Sequence, residues 1–153
     1  MLIIASEKEI NDKINSLSNE PLIRNEYGKP YFKNSKLKFN KSNTLDLSVL
    51  IIEETECGID IEYIRKYNEI MAKDILSKEE QAFINNTDNK DLYFTILWTL
   101  KESYLKCIGT GINTKLNELN MIENNKIIKT KNNCKLNYFI YEDKYIISYC
   151  KES

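Results

Sequence analysis

Apolar residues recur along this chain with two periods, and the switches between them mark out its elements. Ser6-Glu7-Lys8-Glu9 is a capping-box pattern, and Ile10, Ile14 and Leu17 follow at helical spacing. A short amphipathic helix ending near Asn19, before Pro21, is predicted. Leu22-Ile23 begins a brief extended piece. Tyr27-Gly28-Lys29-Pro30 is a turn signal, because the residue before a proline is pushed out of the helical region. Leu37-Lys38-Phe39-Asn40 alternates as a short strand, Lys41-Ser42-Asn43-Thr44 reads as a polar break, and Leu45 through Ile52 reads as a strong apolar strand. Glu53-Glu54-Thr55-Glu56 then turns into a further strand, Gly58-Ile59-Asp60-Ile61-Glu62, predicted to pair with the preceding one as a hairpin.

After Tyr63 the period becomes helical. Asn68 to Asp74 suggests a short helix, and Ser77-Lys78-Glu79-Glu80 is a second capping box. Asp88 or Asn89 caps a long helix from about Lys90 to Ile108, which Gly109 terminates. Its predicted core stripe is Leu92 or Tyr93, Ile96, Leu97, Leu100, Tyr104 and Cys107. Beyond Gly111 the period returns to two. Lys126 to Lys129, Lys135 to Tyr141 and Lys144 to Cys150, separated by Asn132-Asn133 and Glu142-Asp143, predict a meander of three antiparallel strands. Strands, a helical insert and strands again imply a single α+β domain over residues 1–153, with the long helix lying across an antiparallel sheet. No tandem repeat, low-complexity tract or linker divides the chain.

Composition narrows the chemistry. At 153 residues the chain fits one compact domain, or two small lobes sharing a core. A formal net charge of −1 argues against non-specific nucleic-acid binding, which needs a basic field. No apolar run approaches a membrane span, and Met1 to Ala5 is too short for a signal-peptide core, so a cytoplasmic protein is expected. The four cysteines (Cys57, Cys107, Cys134, Cys150) show no CxxC spacing and read as small buried hydrophobes in a reducing compartment. The histidine count of zero excludes a Ser-His-Asp triad, a Cys-His pair and the usual zinc constellations. Acid–base work falls to Asp, Glu, Lys or Tyr.

Such groups are clustered in the pattern. On the alternating strand Asp60 and Glu62 project to one face while Ile59 and Ile61 take the other; on the long helix Glu102 and Lys106 lie one turn apart. Taken separately these are ordinary: solvent-face carboxylates, and an i,i+4 pair worth a few tenths of a kcal/mol. Three carboxylates and an ammonium converging from a strand and a helix make a hard-cation site with a charged partner beside it.

At these residues the chain resembles the 4′-phosphopantetheinyl transferases, in particular the surfactin-synthetase-activating type. That family is marked by a G-[IV]-D-[IV]-E strand and a W-x-x-K-E-[SA]-x-x-K helix continuing into G-x-G; Gly58 to Glu62 and Trp98 to Gly111 fit both, position by position. Upstream, Gly28-Lys29-Pro30 and Phe39-Asn40-Lys41-Ser42-Asn43-Thr44 resemble the family's GKP turn and F-N-x-S-H-[ST] segment, in the same order. The likeness spans roughly Tyr27 to Asn120.

The resemblance implies a phosphopantetheinyl-transferase fold and transfer of the 4′-phosphopantetheine arm of coenzyme A to a serine of an acyl or peptidyl carrier protein, of fatty-acid, polyketide or nonribosomal-peptide biosynthesis. Adenosine 3′,5′-bisphosphate would be released. It implies Mg²⁺ or Mn²⁺ on Asp60, Glu62 and Glu102, with Glu102 also accepting the serine proton and Lys106 on the α-phosphate side. Lys101 would be a further phosphate contact. Gly28, Lys29 and Pro30 would contact the adenosine, and Ser42, Asn43 and Thr44 the 3′-phosphate; Asp60 and Lys106 complete the coenzyme A set. The chain departs from the family at Asn43, which replaces a histidine and brings no positive charge. It departs also in length: the surfactin-type enzymes are pseudo-dimers of two lobes, so a shortened first lobe (residues 1–53) and a complete second lobe (54–153) are expected, with homodimerisation an open alternative. Two rivals use the same residues: a degenerate coenzyme A or carrier-protein binding module without turnover, and a magnesium-dependent hydrolase of nucleotides or pyrophosphate.

Overall fold

The structure, a computed structural model, describes residues 1–110 and 114–153; Gly111, which closes the G-x-G pattern, lies outside the described residues. In chain order the elements are β1 (Leu2–Ala5), α1 (Glu7–Ser16), β2 (Leu22–Arg24), β3 (Pro30–Phe32), β4 (Lys38–Asn43), β5 (Ser48–Glu53), β6 (Cys57–Tyr63), α2 (Glu69–Ile75), α3 (Lys78–Asn85) and α4 (Lys90–Ile108). A 3₁₀ turn (Leu116–Glu118) precedes β7 (Ile122–Glu123), β8 (Lys126–Ile127), β9 (Thr130–Lys131), β10 (Cys134–Tyr141) and β11 (Tyr145–Glu152).

The capping predictions hold. Ser6 and Ser77 each close a reciprocal box with Glu9 and Glu80, Asn89 caps α4, and Gly109 ends it in the left-handed conformation at φ 69°. Glycine reaches that conformation with no Cβ penalty, so the helix stops where the sequence says.

Two antiparallel sheets carry the architecture, in strand orders β1-β5-β4 and β6-β11-β10-β9. Alternation along each strand assigns the faces. Leu50, Ile52 and Phe39 pack with Ile10 and Ile14 of α1. Val49 and Ile51 meet Ile59, Ile61, Tyr145 and Ile147 between the two sheets. Leu136, Ile146 and Cys150 face α4, against Leu97, Leu100, Tyr104 and Cys107. The layers are therefore helix, sheet, sheet, helix, with β5 and β6 covered on both sides. Among the described residues no helix is long and apolar enough to cross a membrane.

Four expectations need correction. β5 and β6 do not form a hairpin: β5 pairs with β1 and β4, and β6 with β11. A run buried on both faces pairs wherever its neighbours supply backbone partners, and Leu2–Ala5, too short to read as a strand, supplies them. The segment at 41–44 is mostly strand rather than break, since β4 continues to Asn43. In the C-terminal half, Lys126–Ile127 leaves the meander to pair with Ile122–Glu123, and Thr130–Lys131 takes the place beside β10. The stripe on α4 is also wider than predicted, because Phe94, Thr95 and Thr99 are fully buried.

Candidate active site

Gly58, Asp60 and Glu62 lie on the face of β6 turned to α4, as alternation requires, and Cys57, Ile59 and Ile61 lie on the inter-sheet face. With no side chain at Gly58, the backbones of β6 and α4 come into direct contact along Ser103 to Cys107. That contact sets Asp60, two residues on along the strand, beside Lys106. The Lys106 Nζ lies 2.7 Å from Asp60 Oδ1 and donates also to the Ile59 carbonyl at 3.1 Å. The Ser42 hydroxyl donates to the same Asp60 Oδ1 at 2.9 Å. Asp60 Oδ2, on a residue only 5% exposed, is buried with no hydrogen-bond partner among the described residues. A buried carboxylate oxygen without a donor is costly, and such sites are where a cation belongs.

Glu102 stands one turn before Lys106. Burial and the nearby charge of Asp60 push its carboxyl above the usual range, partly offset by Lys106 and the Trp98 indole. Glu62 sits at the rim, where the Arg65 Nε and Nη2 donate to its Oε2 at 3.1 and 2.8 Å. The Arg65 guanidinium in turn lies 4.5 Å over the Trp98 ring. Sequence reasoning missed Arg65; a tryptophan four residues before a glutamate at the site was the available signal.

Glu102, Leu105, Lys106 and Gly109 form one wall of a cavity of about 440 Å³, a volume in the range of small-molecule sites. The opposite wall is the turn Tyr27-Gly28-Lys29-Pro30 with Asn40, and Thr114 and Leu116 complete it. Gly28, at φ 88°, has its carbonyl held by Arg24 Nη1 at 2.7 Å. Asn25, which the sequence reading passed over, organises this turn: its Oδ1 accepts from the Tyr27 and Lys29 amides, and its Nδ2 donates to the Gly109 carbonyl at 3.3 Å. Turn and helix terminus are thereby one unit. Lys29 offers the cavity its stem, for its Nζ is engaged by Glu56 at 2.7 Å and by the carbonyls of Cys57 and Cys107. Asn40 Oδ1 accepts the Ile59 amide at 2.9 Å and ties the two sheets at the cavity floor.

The remaining expected residues lie elsewhere. Lys101 is a correction: it is 0% exposed, 2.5 Å from Glu80, and donates to the carbonyls of Ile75 and Leu116 at 2.6 and 2.9 Å. One residue before Glu102 on a helix is about 100° around it, so Lys101 points into the core, where Glu80 engages its charge. Among the described residues, Ser42, Asn43 and Thr44 do not line this cavity. Ser42 holds Asp60, Asn43 is exposed on β4, and the Thr44 hydroxyl accepts from the amides of Asp46 and Leu47 in the β4–β5 turn. Lys41, two residues before Asn43, turns to Asn11 Oδ1 on α1 at 2.7 Å.

The three carboxylates do not converge as a ready-made ligand set. Among the described residues the group of three or more ligating side chains with donor atoms within 4.8 Å of one another is Cys107, Cys134 and Cys150. The acidic group still fits a magnesium-like ion, which takes one or two protein carboxylates and fills its remaining positions with water and substrate oxygens. Asp60 Oδ2, unpartnered, and Glu102, with its raised carboxyl, are the two that fit; Glu62 is held apart by Arg65.

Comparison with known proteins agrees with the motifs. The family model described as 4′-phosphopantetheinyl transferase superfamily matches residues 56–150. The chain is 31% identical over 139 residues to the 4′-phosphopantetheinyl transferase gsp of Aneurinibacillus migulanus, covering 88% of this chain and 58% of that protein. It is 30% identical over 99 residues to the 4′-phosphopantetheinyl transferase Sfp of Bacillus subtilis (strain 168), covering 63% of this chain and 44% of that one. The chain thus spans roughly half the length of such relatives. Among solved structures, the holo-[acyl-carrier-protein] synthase (AcpS) of Thermotoga maritima superposes with a TM-score of 0.55 at 18% identity, over 65% of this chain and 63% of that one, a likeness of fold. With an α+β fold, both marked motifs in place and relatives of the surfactin-activating type, the chain belongs to the 4′-phosphopantetheinyl transferase superfamily.

Proposed function

We propose that this protein transfers the 4′-phosphopantetheine arm of coenzyme A to a serine of an acyl or peptidyl carrier protein and releases adenosine 3′,5′-bisphosphate. The observation that carries this reading is the cavity between the Gly28–Pro30 turn and the Glu102–Lys106 wall, with the unpartnered Asp60 oxygen beside it. Membership of the superfamily and the names of the relatives support the reaction class.

In this reading the pantetheine pyrophosphate lies along the α4 wall and the adenosine against Tyr27 to Pro30. A divalent cation, Mg²⁺ or Mn²⁺, would be held by Asp60 and Glu102, with Glu62 a third carboxylate at the rim, and would supply charge neutralisation to the pyrophosphate oxygens. Glu102 takes the carrier serine Oγ proton; its raised carboxyl makes it a better base than a solvated glutamate. Lys106, aimed by Asp60 and the Ile59 carbonyl, neutralises or protonates the departing bisphosphate oxygen. Positioning and charge neutralisation do most of the work, as in phosphoryl transfer generally. The fold supports residues 1–153 acting as one unit, since Asn40 and Ser42 of the first sheet bond directly to β6 of the second.

The test is intact-mass analysis of an apo carrier protein incubated with this protein, coenzyme A and Mg²⁺. The expected result is a gain of one phosphopantetheine, lost on chelation. Coenzyme A bound without any transfer to acyl or peptidyl carriers would overturn the reading in favour of a binding module. Adenosine bisphosphate released without a carrier would instead point to hydrolysis.

A further inference from the structure

Behind the active site, on the core side of α4, three cysteines distant in sequence meet. Cys107 comes from the last turn of the helix, and Cys134 and Cys150 from diagonal positions on β10 and β11, where Cys134 faces Glu152 and Cys150 faces Leu136. All are free and buried, and their sulfurs lie within 4.8 Å of one another. Cys57, the fourth, faces the inter-sheet core instead and is no part of the group.

We infer that Cys107, Cys134 and Cys150 form a three-sulfur site for a soft thiophilic cation of the copper(I) type. The spacing fits. A metal–sulfur bond of about 2.3 Å in trigonal geometry sets sulfurs about 4 Å apart, so the cluster needs only a slight contraction. Three sulfurs, with no histidine in the chain and Cys57 on the other face, fall one ligand short of the four-coordinate shell that structural zinc requires. Soft thiolates favour copper(I), which is stable with three sulfurs.

The Cys107 thiol donates to the Glu56 carbonyl at 3.3 Å. The ammonium of Lys29, 3.2 Å from the Cys107 carbonyl, brings positive charge to the same end. Loading involves no electron transfer: each S–H bond replaced by a sulfur–copper bond releases its proton to solvent. Cys134 is 3% exposed, and Cys107 and Cys150 are 0% exposed.

The experiment is anaerobic titration of the reduced protein with copper(I) against a copper(I)-specific chelator, followed by copper-edge X-ray absorption on the loaded protein. One equivalent should be retained, with three sulfur neighbours. Cys134→Ala and Cys150→Ala should each weaken retention at least tenfold, and Cys57→Ala should leave it unchanged; far-UV circular dichroism reports whether each variant is folded. A folded wild-type protein that yields all its copper to the chelator would overturn the inference. So would nitrogen or oxygen neighbours in the absorption spectrum, or retention that follows Cys57. The spectrum of the wild-type protein decides the matter even where an alanine variant fails to fold.

Discussion

A Cβ at Gly58 would stand 2.0 Å from the carbonyl oxygen of Ser103 and 2.4 Å from the Cys107 amide nitrogen. Neither atom is a flexible side-chain end, so any larger residue must push α4 off β6. That closeness also sets the gap between Asp60 and Lys106, which continue the same strand and helix. Opposite Asp60 in register, Ser148 shares a 2.6 Å hydrogen bond with Thr99 and locks the helix at this height. Gly58→Ala should therefore destabilise by about 3 kcal/mol, the upper end of ordinary overpacking, because backbone cannot yield as a side chain does. Urea unfolding measures it. A loss under about 0.5 kcal/mol would mean that the helix rides freely over the strand and that this contact does not position Lys106.

The buried pair Lys101–Glu80 holds the far wall of the cavity. Burial drives the Lys101 ammonium down in pKa, and the Glu80 charge opposes it. Glu80 also accepts the amides of Ser77 and Met121 at 2.8 and 2.7 Å. Lys101 reaches the carbonyl of Leu116, itself a wall residue. Lys101→Met leaves a carboxylate buried without its cation and should cost about 3–5 kcal/mol. A phosphate-contacting lysine would behave oppositely, losing coenzyme A affinity at unchanged stability. Thermal denaturation beside a coenzyme A titration separates the two.

How much of this was legible beforehand follows from the range of the interactions. Asn89 and Gly109 bound α4, and Ser6 and Ser77 box their helices, because caps are settled by atoms three or four residues away. The faces of β6 were legible because alternation is local. Strand partners were not: β5 lies next to β6 in sequence, yet it pairs with β1 and β4, and α1 covers its other face. Lys101 failed for the same reason. Motif membership put it next to Glu102, whereas the helical angle puts it among Glu80, Ile75 and Leu116. The thiol cluster was invisible, since its members stand 27 or 16 positions apart in sequence and meet only once α4 lies on β10 and β11.

Glu56 makes a pH-dependent contribution. Burial alone would raise its carboxyl, but hydrogen bonding and charge from Lys29, with Lys38 beyond it, leave it below the usual range. A lowered folded-state pKa means stability that is present above the unfolded carboxylate value, about 4.3, and lost as pH falls through the folded value. The Glu56 side chain is 36% exposed, so solvent screening holds the contribution under about 1 kcal/mol. Glu56→Gln should thus be slightly less stable than the parent at pH 7, with the gap closing in acid. A gap that persists below the folded value would assign the effect to packing rather than charge.

Arg65 governs the rim carboxylate. Its guanidinium is held by two bonds to Glu62 and by the Trp98 ring beneath, and its backbone amide donates to Thr95 Oγ1 at 2.9 Å. In this position it keeps a positive charge beside carboxylates proposed to hold a cation. Arg65→Gln removes that charge while leaving a polar group of similar reach for Glu62. At the solvent-screened rim the lost repulsion is worth on the order of 1 kcal/mol, so Mg²⁺ should bind about fivefold tighter. Isothermal titration with Mg²⁺ and coenzyme A reads this without turnover. Weaker binding in the variant would show the opposite role, with Arg65 orienting Glu62 as a ligand and its loss letting the carboxylate swing into solvent.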